Sequence, residues 1–219
     1  MSIVKVNEIA KSFRQAESEI AVLQGLSFSV EPGETLAIVG QSGSGKSTLL
    51  SLLAGLDQVD KGEILINDQN MAKLNQAQLS HFRGKNIGII FQQFHLMKGL
   101  TALENVMLPL DIQGVKNAET KAKDALALVG LGKRAHHLPE QLSGGEMQRV
   151  AIARACVVEP RILLADEPSG NLDTATGGKV MQQLFDAVSE RGMTMILVTH
   201  DNELAKRCHR QLTLTGRLA

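Results

Sequence analysis

The chain has 219 residues, 43% hydrophobic and 21% charged, and its 23 Lys+Arg balance its 23 Asp+Glu to a formal net charge of zero. That length suits one domain, or one domain with a subdomain; zero net charge and the absence of Trp and Tyr argue against electrostatic gripping of nucleic acid and base stacking, a local basic patch aside. Cys156 and Cys208 have no metal-ligand spacing and read as reduced, buried thiols; no signal peptide is evident, and no apolar run approaches the roughly 18 residues of a membrane span.

Residues 3–9 and 22–30 read as strands, the second alternating Leu26, Phe28 and Val30 with Gly25, Ser27 and Ser29. The polar stretch 14–19 between them reads as a hairpin loop, and Glu31-Pro32-Gly33 as a turn. A short apolar strand, 35–39, runs into Gly40-Gln41-Ser42-Gly43-Ser44-Gly45-Lys46-Ser47, and a leucine-rich helix over 48–54 follows and stops at Gly55. The pattern then predicts a strand at 63–67, a helix at 76–83 and a buried strand at 87–91. From residue 101 to about 132 it is helical: Thr101-x-x-Glu104 is a capping box, and Gly114 separates a first helix from a second at 118–129. A third helix starts at Ser143. Strand patterns return at 161–165 and 194–198 around a helix at 174–191, and a last strand-like stretch covers 211–215. Strand–helix–strand alternation implies a parallel sheet, and the helical block 100–156 reads as an insertion between sheet strands. The last four residues after 215 leave no room for a regulatory C-terminal domain.

Residues 40–47 fit G-x-x-x-x-G-K-[ST], the phosphate-cradling loop, at every fixed position and in the required strand–loop–helix setting. A chance match in a chain this size has odds of roughly 1 in 100 before that setting is considered. Gly43 and Gly45 allow backbone angles that bring main-chain N–H groups to an anion, and the helix N-terminus adds unpaired donors. Lys46 would reach the β/γ-phosphates of a nucleoside triphosphate, and the Ser47 hydroxyl would hold Mg²⁺. The strand 161–165 ends on Asp166-Glu167: Asp166 suits Mg²⁺, directly or through water, and Glu167 suits orienting or deprotonating an attacking water. Ser143-x-x-Glu146 is a second capping box, but a cap does not call for Gly144-Gly145, which weaken a first turn. Two bare glycines suit a second anion-binding helix terminus, serving either this chain's nucleotide or a neighbour's. His200 and Gln92 each follow a predicted strand, where α/β sheets bind ligands; each is a phosphate, Mg²⁺ or water contact or an ordinary polar residue.

Taken together, these motifs resemble the nucleotide-binding subunits of ABC transporters over essentially the whole chain. The order matches: the phosphate loop, Gln92 as Q-loop, the signature from Leu142 to Gln148, Walker B to Glu167, the D-loop Ser169-Gly170-Asn171-Leu172-Asp173, and His200 as H-loop. Arg149-Val150-Ala151-Ile152-Ala153-Arg154-Ala155 after the signature is specific to that family. Gly170-Asn171-Leu172-Asp173 and Leu103-Glu104-Asn105-Val106 are similar to its lipoprotein-releasing and macrolide-export branch. The resemblance implies an α/β fold of the P-loop ABC ATPase type: a mostly parallel sheet core with an antiparallel β subdomain and an inserted helical subdomain. It implies one domain over 1–219, with core 1–91 and 157–219 and a helical subdomain over about 92–156. It further implies ATP and Mg²⁺ as ligands, with Gly40, Gln41, Ser42, Gly43, Ser44, Gly45, Lys46, Ser47 and Thr48 around the phosphates and Phe13 stacking on adenine; a core role is the alternative for Phe13. Ser47, Gln92 and Asp166 become the Mg²⁺ residues, and Glu167, His200, Gln92 and Lys46 the catalytic set. Ser143, Gly144, Gly145 and Glu146 would close over ATP held by a second copy in a head-to-tail homodimer.

The same resemblance implies an integral membrane permease as partner, met by residues 92–100, and a place on the cytoplasmic face of the bacterial inner membrane. The chain departs from the family at Met97-Lys98-Gly99, where proline is usual, and at Ser169, where threonine is commoner. The expected function is ATP hydrolysis driving export or extraction of a lipid-like or lipoprotein substrate from that membrane. Force transmission through a membrane protein without solute transport is the second reading. An ABC protein acting on DNA or ribosomes would carry long insertions or tandem cassettes, whereas only 51 positions separate Gln92 from Ser143. A non-catalytic scaffold does not need the Asp166-Glu167 pair.

Overall fold

The computed structural model describes residues 1–15 and 18–215. In chain order the elements are β1 (Val4–Gln15), β2 (Ser18–Val30), β3 (Thr35–Val39), α1 (Lys46–Leu53), β4 (Lys61–Ile66), β5 (Gln69–Asn70), α2 (Gln76–Asn86), β6 (Ile87–Ile90), α3 (Ala102–Ile112), α4 (Ala118–Leu128), α5 (Gly144–Cys156), β7 (Ile162–Asp166), α6 (Thr174–Glu190), β8 (Thr194–Val198), α7 (Asn202–Lys206) and β9 (Arg210–Thr213). They fall into two compact units, residues 1–83 with 194–219, and residues 84–193.

The first unit holds an antiparallel sheet in the order β2-β1-β4-β5. It also holds three parallel strands with β3 central: Thr35 pairs with Met195 of β8 and Leu36 with Arg210 of β9. Every residue of β8 is buried, as are Leu36, Ala37 and Ile38, so these strands are continuously apolar rather than alternating. Helix α1 contributes Leu49, Leu50, Leu52 and Leu53 to the same core.

One expectation fails here. Residues 14, 15, 18 and 19 are strand and not loop: β1 continues to Gln15 and β2 begins at Ser18, with Arg14 paired to Glu19 and Phe13 to Ile20. The exposed ribbon pairs through its backbone and carries polar side chains at Arg14 and Glu19, so polarity alone misreads it as a loop. Ala16 and Glu17 of that stretch lie outside the described residues.

In the second unit β6 and β7 form a parallel pair, Ile87 opposite Ile162 and Ile90 opposite Ala165. Helices α3, α4 and α5 bury Val106, Leu110, Ala122, Leu126, Val150 and Ile152, and α6 buries Val180, Met181 and Leu184. Both predicted capping boxes are formed: Thr101 Oγ1 accepts the N–H of Glu104, and Ser143 Oγ accepts that of Glu146, while each glutamate takes its cap residue's N–H in return. Losing either cap costs about 1 kcal/mol. Short α7 went unpredicted; Asp201 caps it by accepting from Glu203 and Leu204, and five residues are too few for a periodicity to show.

Both cysteines are buried, and burial pushes each thiol up to about 11. At pH 8 roughly one thiol in a thousand is therefore ionised. The native protein is expected to take up no iodoacetamide over an hour, and the denatured chain two equivalents; rapid native labelling would show that one site opens.

Candidate nucleotide site and signature helix

The phosphate loop lies in the first unit, between β3 and α1. Its φ angles at Gly40, Gly43 and Gly45 are 155°, 80° and 93°, positive values that favour glycine. At Gly45 the neighbours also exclude a side chain, since a Cβ there would stand 2.8 Å from Val22 Cγ1 and 3.0 Å from Leu23 Cδ2. β2 is thus pressed against the loop. Lys46 is buried and donates to the carbonyls of Gly40 at 2.8 Å and Gln41 at 2.9 Å, closing the loop on itself. Gln41, Ser42, Gly43 and Ser47 are exposed around it, with Thr48 half-buried behind. α1 starts with no side-chain cap, and the buried Ser44 hydroxyl has no hydrogen-bond partner. Uncapped donors, an orphaned hydroxyl and an open glycine rim fit a polyphosphate.

Phe13 is 43% exposed, so it is not a core side chain. His200 is exposed at the carboxyl end of β8, past Thr199, and the next residue, Asp201, caps α7.

In the second unit, Asp166 ends β7 and Glu167 follows in the left-handed region at φ 43°. The Gly170 N–H donates to the Glu167 carbonyl at 2.9 Å, which turns the chain back. A Cβ on Gly170 would stand 3.1 Å from Gln92 Nε2 and 3.4 Å from Glu167 Oε2. The Q-loop amide and the Walker B carboxylate therefore converge on the D-loop glycine. Asn171 Nδ2 donates to the Gln92 carbonyl at 2.7 Å and locks the two loops together. Among the described residues no three His, Cys, Asp or Glu side chains gather to hold a metal by themselves. Mg²⁺ takes oxygen donors from one or two protein side chains and completes its shell with phosphate and water; Asp166 is a donor of that type in this unit, as Ser47 is in the first.

The signature helix α5 shows what its two glycines are for. A Cβ on Gly145 would run into Thr176 Cγ2 in the first turn of α6, so Gly145 is a packing residue. On Gly144 it would meet Leu172 Cδ2 at 3.6 Å, an ordinary contact. Gly145→Ala is expected to destabilise the protein by about 1–3 kcal/mol, whereas Gly144→Ala stabilises it by up to about 1 kcal/mol. Thermal melts check both; if the two variants melt alike, the packing assignment fails. Glu146 is held below the usual carboxylate range by the Ser143 backbone N–H, against an opposing effect of burial, with Arg134 Nε 3.2 Å away. A depressed carboxylate stabilises the fold above its ordinary value near 4.5, and that contribution fades as pH falls below it.

Two residues with no site role assigned from sequence hold the Q-loop. Arg154 of α5 donates to the carbonyls of Phe94 at 2.8 Å and His95 at 2.6 Å. Buried Asn105 accepts from the Met97 N–H and donates to the carbonyls of Met97, Leu100 and Thr101. These bonds fasten the segment that lacks the family's usual proline. Both stand in stretches that mark the family, but their role is not marked in advance, because their partners are backbone carbonyls.

This fold and this motif set place the chain in a class. The ABC transporter family profile matches residues 23–170, and the chain belongs to that family. It is an ATP-binding cassette with ATPase activity, the ATP-binding part of a transporter. It is 49% identical to the uncharacterized ABC transporter ATP-binding protein YbbA of Escherichia coli K12 over 217 residues, 98% of this chain and 95% of that one. It is 44% identical over 214 residues to the lipoprotein-releasing system ATP-binding protein LolD of Alcanivorax borkumensis, covering 97% and 94%. Among solved structures, the dimeric ATP-binding cassette MJ0796 in a post-hydrolysis state with ADP and Pi superposes with TM-score 0.90 at 40% identity, covering 97% and 94%.

Proposed function

We propose that this chain is the ATPase subunit of a membrane complex that extracts or exports a lipid-like or lipoprotein substrate, acting as a head-to-tail homodimer around two ATP molecules. The observation that carries the reading is near-full-length identity with both LolD and YbbA. The dimeric state of the MJ0796 cassette supports the dimer.

In this reading residues 40–48 and Lys46 bind the triphosphate, Phe13 stacks on adenine, and Ser47, Asp166 and Gln92 serve Mg²⁺, which when bound neutralises phosphate charge. Glu167 takes the proton of the attacking water, and His200 and Gln92 contact the γ-phosphate and that water. Ser143 to Glu146, the capped first turn of α5, face nucleotide on the other copy. The permease is met through residues 92–100 on the cytoplasmic face of the inner membrane; among the described residues no helix is long and apolar enough to cross it.

Purification of the tagged chain from native membranes tests this. An ABC permease should co-purify, and reconstituted ATPase activity should rise with lipidated protein substrate. No co-purifying permease sinks the reading. Activity that answers only to an extracytoplasmic protein, not to any lipidated substrate, would replace transport with force transmission.

A further inference from the structure

Lys11 has no role in the nucleotide site outlined above, yet it is the most enclosed lysine on β1, only 8% exposed. Lysine is rarely so buried without partners. Its Nζ donates to Asp57 Oδ1 at 2.9 Å and to the Gln58 carbonyl at 2.8 Å, with Asp60 Oδ1 at 3.7 Å. The loop carrying these acceptors also grips the strand itself. Asp60 Oδ2 accepts the Ser12 N–H at 2.6 Å, and the Asp60 N–H donates to the Ala10 carbonyl at 2.9 Å. Three consecutive residues of β1 are thus clamped where its register against β2 shifts, between Lys11 and Ser12.

The clamped ammonium stands over the Phe13 ring, 5.2 Å from its centroid. Lys11 and Phe13 are two apart on β1 and share a face with their cross-strand partners, Leu23 and Ile20. Leu23 on that face reaches Gly45 of the phosphate loop. The ring therefore shares a face with the leucine that meets the loop, with one side of the ring taken by a cation and 43% of the residue open.

An exposed phenylalanine on a free strand end samples several rotamers, and ordering it on binding costs affinity. A cation held by three fixed acceptors removes that freedom in advance, because the ring quadrupole favours one orientation beneath the ammonium. We propose that Lys11 is a positioning residue for the adenine platform: anchored by Asp57, Gln58 and Asp60, it holds Phe13 with one face presented to the purine. The proposal rests on the reading that Phe13 stacks on ATP.

Binding of ATP and of inorganic tripolyphosphate, each measured by calorimetry with EDTA present to prevent turnover, separates base from phosphate recognition. Wild type should favour ATP, and Phe13→Ala should erase the preference. Lys11→Met should weaken ATP roughly 3- to 10-fold with tripolyphosphate unchanged, Lys11→Arg should restore it, and Lys11→Met in a Phe13→Ala background should add no further loss. A wild-type preference in Lys11→Met, or equal loss of both ligands, overturns the proposal while leaving stacking intact. Preference retained in Phe13→Ala overturns the stacking reading and the proposal with it. Should Lys11→Met not fold, Asp57→Asn, which loosens the same ammonium, carries the comparison on the same terms.

Discussion

Glu167→Gln is expected to lower ATP turnover by about 10²- to 10⁴-fold while ATP-dependent dimerisation survives. The amide keeps the size and most hydrogen bonds of the carboxylate but cannot take a proton from water. The backbone makes this position costly to keep: Glu167 sits at φ 43°, in a region that charges a non-glycine residue about 1–3 kcal/mol. The turn closed by the Gly170 N–H holds it there, with its carboxylate and the Gln92 amide converging on Gly170. Glu167→Gly should therefore be more stable than wild type by about 1 kcal/mol and equally dead. Steady-state phosphate release and light scattering with ATP measure both halves. Turnover at the wild-type rate in Glu167→Gln would remove Glu167 as the base.

The second large effect is on binding. Lys46→Ala is expected to weaken ATP by at least about 100-fold, since it deletes the positive charge of the loop and two charge-assisted hydrogen bonds. Those bonds, to the carbonyls of Gly40 and Gln41, also hold the loop's shape. Lys46→Arg should recover little, because a planar fork does not replace a compact ammonium that meets two carbonyls from inside the loop. Equilibrium binding of a fluorescent ATP analogue checks this, and tight binding by the alanine variant would move the triphosphate elsewhere.

Gly144→Ala then isolates the signature. Its methyl meets only ordinary contacts in this chain, so a stable variant that no longer dimerises on ATP places the lost approach on the other copy's nucleotide.

Much of the site is legible in the sequence because its chemistry is local. A phosphate loop needs glycines at fixed offsets beside a lysine, and a capping box needs Ser143 three residues from Glu146; neither depends on distant partners. The parallel strands are equally legible, since burial on both faces writes itself as apolar runs such as 194–198. The strand ends at Arg14 and Glu19 are not, because they pair through the backbone on an exposed ribbon that carries no apolar pattern. Nor are Arg154, Asn105, Asn171 and Lys11, each defined by a carbonyl or ring brought near by the fold.

The division follows from range. The family, the nucleotide and the identity of the charged groups can be read from contiguous spacing, because those functions are encoded in it. Which glycine of the signature is packing and which is open emerges from the folded chain, since Thr176 lies thirty-one positions from Gly145 along it. So do the strain at Glu167 and the buried ammonium that holds Phe13 from behind, because backbone angle and burial arise from the packing of distant segments.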